Sequence, residues 1–187
     1  MIRRLSIVAI AAIAAACSQP EEPAASIEPA APAAPSPISQ AYVAEVQDYW
    51  SGGAAVTAEE VINLVGLNGP AGAIEELGSD QPRSRWNTVM SGIASADPAW
   101  LGVAAALEPG VTGPSADSLD GVLKAALAAD ATATLRVLEP ARQRLSPQAV
   151  CASDEAETVA ALRPSVDAVS DPALEAKKAA CLEAMVG

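Results

Sequence analysis

The sequence predicts an all-α protein, an irregular bundle of about seven to nine short helices, and three observations predict it. Apolar residues recur at three- and four-residue spacings, as in Trp86, Val89, Met90 and Ile93. Helix-start signals recur along the chain, at Thr57 with Glu60, at Asp97-Pro98 and at Asp171-Pro172. No segment sustains a two-residue alternation rich in β-branched side chains, so strands are not expected.

The elements follow in order. The first helix is expected from about Ile38, because Ile38, Tyr42, Val43, Val46, Tyr49 and Trp50 share one helical face. Gly52-Gly53 ends it. Thr57 as N-cap and Glu60 at N3 form a capping box for the next helix, which carries Val61, Ile62 and Val65. Asn68-Gly69-Pro70 breaks that helix, and residues 71–77 can wind further turns. Asp80 and Pro82 then begin the helix of Trp86, Val89, Met90 and Ile93. Asp97 caps the next with Pro98 at N1, carrying Trp100 to Leu107.

Residues 108–114, rich in Pro and Gly, read as a loop, after which Ser115 caps a helix through Leu119, Val122, Leu123 and Leu127. Asp130 starts the helix of Leu135 and Leu138. Ser146-Pro147 opens a short turn or helix that holds Cys151. A helix from Asp154 to Leu162 is expected to stop at Arg163-Pro164. Asp171-Pro172 opens the last, with Leu174, Cys181, Leu182 and Met185. Ile93 and Leu101, flanking Asp97, recur 34 residues later as Leu127 and Leu135, flanking Asp130. That echo resembles stacked helix hairpins of the HEAT kind, which is the alternative to a single bundle.

Residues 1–16 have the shape of a secretory signal peptide: Arg3 and Arg4 form a basic head, and an uncharged apolar run ends in Ala14-Ala15-Ala16. Cys17 follows. Ala14-Ala15-Ala16-Cys17 resembles the lipobox of bacterial lipoproteins, with Ala14 where that family usually has Leu. The resemblance covers this segment alone. It implies cleavage before Cys17, lipid on Cys17 (palmitate among its acyl chains), and attachment to a membrane through that lipid. Ser18 follows the cysteine instead of the Asp that resembles an inner-membrane retention signal, so the outer membrane, facing the periplasm, is expected. Residues 17–37 carry prolines at 20, 23, 29, 32, 35 and 37 and read as a tether, leaving 38–187 as the α-helical domain.

Composition excludes several functions. The formal net charge is −12, and it becomes −14 once Arg3 and Arg4 leave with residues 1–16, so no nucleic-acid partner is expected. There is no His in the chain, which removes Ser-His-Asp triads, Cys-His pairs and His-based zinc sites. No metal site and no cofactor is expected, since EF-hand and phosphate-loop patterns are also missing. With Cys17 lipidated, Cys151 and Cys181 remain for a disulfide in an oxidising compartment.

Two groups are candidate binding residues. Trp86 and Trp100 belong to a set of aromatics in the first half of the domain, which either fill the core or line a groove. Arg136, Arg142 and Arg144 form a basic cluster that suits an acidic partner, or else satisfies helix C-termini. The acidic pairs Glu59/Glu60, Glu75/Glu76 and Asp154/Glu155/Glu157 read as helix-end and surface charge, not as catalytic carboxylates. No nucleophile–base pair is on offer, so a non-enzymatic module binding an envelope protein is expected, an inhibitor or immunity-type lipoprotein being one form. The alternative is a domain that binds or processes cell-wall glycan or a small ligand through its aromatic and acidic residues.

Overall fold

The computed structural model describes residues 36–186, so Cys17 and most of the expected tether lie outside the described residues. Within them the chain is all-α, with nine helices. These are α1 Pro37–Tyr49, α2 Ala58–Leu77, α3 Arg85–Ala94, α4 Pro98–Leu107, α5 Pro114–Ala129, α6 Ala131–Val137, α7 Pro147–Cys151, α8 Ala156–Asp167 and α9 Glu175–Ala184. Short 3₁₀ turns occupy Glu108–Gly110 and Pro172–Leu174. Among the described residues no helix is long and apolar enough to cross a membrane.

Side-chain caps start many of the helices where the sequence places them. The Thr57 N–H donates to Glu60 Oε2 at 2.7 Å and the Glu60 N–H donates to Thr57 Oγ1 at 3.2 Å, a reciprocal capping box. Asp97 Oδ1 accepts from the Ala99 N–H, Asp130 Oδ1 from the Ala133 N–H and Ser146 Oγ from the Ala149 N–H. Thr57's backbone N–H and then its hydroxyl hold the Glu60 carboxyl below its ordinary value. Loss of the N-cap hydroxyl in Thr57→Ala is expected to cost about 1 kcal/mol. Since Glu60 titrates lower folded than unfolded, its contribution is present above the unfolded value, about pH 4.3, and fades as pH falls through the lowered one. Urea titrations across the acid range should show Glu60→Gln flattening that limb; an unchanged limb would count against the box.

The core sits around α5. In its second half Ala125, Ala126, Leu127 and Ala128 are all buried, so that stretch has no solvent face. Helices α1, α3, α6, α7 and α8 pack around it, and alanines let their axes approach closely. In a hairpin stack each unit would touch only its sequence neighbours. Here α1 meets α5 and α8, and α7 meets α9, so the arrangement is a bundle.

Several boundaries differ from expectation, each for a local reason. Helix α3 starts at Arg85 and not at Asp80-Pro82, because Arg83 takes a left-handed φ of 54° and the carbonyls of Arg83 and Ser84 accept the Ala54 N–H. Ser115 does not cap α5: Pro114 takes the first helical position, and the Ser115 hydroxyl turns back to Thr112. Asn68-Gly69-Pro70, by contrast, breaks the helical path inside α2 where the sequence places the break, with Gly69 at a non-helical φ of 71° and ψ of 168°, a conformation glycine adopts without steric cost.

Helix α8 runs through Pro164 to Asp167. Proline removes one backbone donor there, but Ser165 Oγ donates to the Ala128 carbonyl at 2.6 Å and Ser39 Oγ to the Ala161 carbonyl, tying the last turns to α5 and α1. The expected apolar face of α1 is also covered only in part. Tyr42, Val43, Val46 and Trp50 pack on the core, while Ile38 and Tyr49 face solvent and the fully buried residue is Ser39.

Candidate functional site

The two candidate tryptophans separate. Trp86 is 1% exposed inside the core, so its candidacy as a binding residue is withdrawn: no ligand can reach its ring in the folded domain. Trp100 is half-buried and lines an open groove of about 380 Å³ together with Trp50, Ser51, Gly52, Gly53, Thr88, Ser91, Gly92 and Ser95.

Local sequence builds this groove. Thr88, Ser91, Gly92 and Ser95 stand at helical spacings of three and four, so they form one polar, small-residue face of α3. The opposite face carries Trp86, Val89, Met90 and Ile93 into the core. Trp50 ends α1, its N–H donating to the Val46 carbonyl at 3.2 Å. The following turn is held on α3 by Thr88 Oγ1, which donates to the Ala54 carbonyl at 2.7 Å.

Trp100 is placed by the α3–α4 link. Ala96 takes a left-handed φ of 60°, a strained choice for a residue with a Cβ, and Asp97 Oδ1 then accepts from the N–H groups of Ala99 and Trp100. This turn lays the indole directly over Gly92. A Cβ added at Gly92 would lie only 2.4–2.7 Å from three indole carbons, so the glycine is required for the close approach. Tyr49 stands beside the groove, 76% exposed, its ring edge-on to Trp50 with centroids 5.0 Å apart.

No charged side chain lines the groove. Two of its hydroxyls have used their protons on backbone carbonyls, Thr88 on Ala54 and Ser95 on Gly92 at 2.7 Å. What they still offer is lone pairs. The hydroxyls of Ser51 and Ser91 make no hydrogen bond among the described residues. A second concavity of about 230 Å³ lies beside the first half of α2, lined by Ala55, Val56, Glu60, Asn63, Leu64, Leu67 and Arg85. Tyr42 lies in neither; burial, then the negative charges of Glu155 and Glu45, push its phenol above the ordinary value.

The three candidate arginines are each paired within the chain, at two different places, Arg142 and Arg144 partly buried and Arg136 exposed at the surface. Arg142 donates to the Ala105 carbonyl at 2.8 Å and pairs with Glu108 and Glu139 at 3.7 and 3.5 Å. Arg144 pairs with Asp120, and its N–H donates to Glu108 Oε1. Together they fasten the loop after α6 onto α4 and α5. Arg136 is separately paired with Asp171 at 3.3 Å.

A pattern absent from sequence spacing emerges at helix ends. Carbonyls in the last turns of α2, α4, α6 and α8 accept from Arg85, Arg142, Lys177 and Lys178, each reaching in from another part of the chain. Cations at C-termini oppose the helix dipole, so much of the scarce positive charge serves the fold.

Cys151 and Cys181 are joined as a disulfide between α7 and α9, with Cα atoms 5.2 Å apart and both residues fully buried. The acidic pairs lie outside the groove, and among the described residues no cluster of three metal-ligating side chains occurs. Trp50 belongs to the set of aromatics that the sequence offers for a groove, whereas Ser91 and Gly92 were missed as site residues. The signal was present in the small polar residues at positions 88, 91, 92 and 95, opposite the apolar face of the same helix. No protein-family model matches the chain, no curated protein matches it in sequence, and no solved structure matches its fold.

Proposed function

We propose that this chain is a non-enzymatic binding module of the bacterial envelope, held to the outer membrane by lipid on Cys17, whose recognition site is the Trp50–Trp100 groove. The observation that carries the reading is a groove with two accessible indoles and no carboxylate in its lining. Aromatic faces and free hydroxyls suit recognition, whereas bond hydrolysis by general acid and base needs paired titratable groups at the site. The lipobox resemblance supports the anchor. Cys17→Ser should abolish palmitate labelling and release the chain from membranes; persistent labelling would remove the anchor.

A second reading, a protein-binding module of which an inhibitor is one form, is favoured by α2. Leu67 is 82% exposed and Ile62 43%, next to the smaller concavity, on a chain of strong negative charge. Site-specific photo-crosslinking in cells separates the two. A crosslinker at Ser91 should give an adduct that one at Asn63 and one on exposed Glu183 do not. An adduct from Asn63 alone would transfer the site to α2, and none from either would sink both readings.

A further inference from the structure

We infer that the Trp50–Trp100 groove binds a short stretch of a neutral, pyranose-type glycan, an inference that rests on the groove being the recognition site. Three features select this ligand class. The first is the pair of half-buried indoles with Tyr49 beside them. The faces of such rings carry partial negative charge and attract the polarised C–H groups on a sugar ring's flat side. A groove of this volume, about 380 Å³ and open to solvent, falls within the range of small-molecule sites, about 300–1,000 Å³.

The second feature is charge. A protein of net charge −12 presents here a lining without ionic groups. Its overall field disfavours phosphates, nucleic acids and acidic glycans, and the groove itself holds no cation that would overcome that field. A neutral ligand meets no such penalty.

The third is the direction of the hydrogen bonds, and it separates sugars from proline-rich peptides, which also stack on aromatic grooves. Thr88 and Ser95 have given their protons to the carbonyls of Ala54 and Gly92. Any further bond to those oxygens must be donated by the ligand. Sugar hydroxyls donate. The tertiary amides of a prolyl peptide do not, and at Thr88 and Ser95 its carbonyls would face lone pairs. Ser51 and Ser91, with hydroxyls uncommitted among the described residues, can donate or accept, as a sugar's alternating partners require.

The test uses the full-length chain, purified in a detergent without a sugar headgroup, and follows intrinsic tryptophan emission on addition of cellotetraose, chitotetraose or a polyproline peptide. A saturable spectral shift with one of the tetrasaccharides is expected, and none with the peptide. Trp50→Ala and Trp100→Ala should each weaken it by about tenfold or more. Gly92→Ala should do the same by displacing the Trp100 indole. Ser91→Ala, which removes no hydrogen bond among the described residues, supplies a milder variant that should fold normally and still lose affinity, while Trp86→Phe should bind as the parent does. Saturable binding of the peptide alone would overturn the sugar class and leave the groove standing. Sugar binding indifferent to Trp50, Trp100 and Gly92 would place the ligand elsewhere and overturn the inference. Silence with all three probes at millimolar concentration would overturn it too, and the Ser91 crosslink would then say whether the recognition site falls with it.

Discussion

Trp86→Ala is expected to destabilise the domain by about 3–5 kcal/mol, a large share of the total stability of a domain this size, about 5–15 kcal/mol. Among the described residues Trp86 is the largest fully buried side chain, 1% exposed, on the apolar face of α3. Its loss leaves a cavity bounded by helices that α5 holds in place from several sides, so collapse into the space is resisted. Trp86→Phe should cost well under half as much. No acceptor reaches the indole nitrogen among the described residues, so phenylalanine keeps much of the packing while removing an unsatisfied buried donor. Trp100→Ala, at the half-exposed groove, should cost less, about 1–2 kcal/mol. Urea unfolding of the three variants decides the matter: a Trp100 variant weaker than the Trp86 one would invert the division between core tryptophan and groove tryptophan.

The second large effect belongs to the disulfide. The Cys151–Cys181 bond spans 30 residues of sequence, and in the chain-entropy account a loop of that length contributes about 3–4 kcal/mol by constraining the unfolded chain. Local structure makes this contribution matter. Helix α7 has five residues, too few to persist without tertiary support, and its attachment to α9 passes through this bond. The double variant Cys151→Ala/Cys181→Ala should melt roughly 10 °C lower in calorimetry. Because both cysteines are 0% exposed, reductant should act slowly on the folded protein and quickly in denaturant. A native preparation with two titratable thiols, or a double variant that melts with the parent, would remove the staple.

Particular residues show how far the sequence carried and where it stopped. Thr57, Asp97, Asp130 and Ser146 were legible as caps because a cap is a local device: one side chain, two or three residues of backbone, one hydrogen bond. Pro164 misled because its cost is local, while the contacts that hold the turns around it are distant, in hydroxyls bonded between α8, α5 and α1. Ile38 and Tyr49 misled in the same way. Spacing placed them on an apolar face, but how α1 lies against α5 and α8 decides which part of that face is covered. The arginines read as a cluster because they are close in sequence; their partners Ala105, Glu108, Asp120 and Asp171 are not.

By itself the sequence determined the all-α class, most helix starts and the exclusion of histidine chemistry, because each follows from neighbouring residues or from simple inventory. Only the tertiary structure decided that Trp86 is core while Trp50 and Trp100 share a groove. Trp50 and Trp100 come together because α1, the turn at Gly52-Gly53 and the first turn of α4 converge on one face of α3, where Gly92 leaves room for an indole. Helical spacing says which side chains share a face. Which faces stay open depends on helices far apart in the chain, whose packing has no local signature.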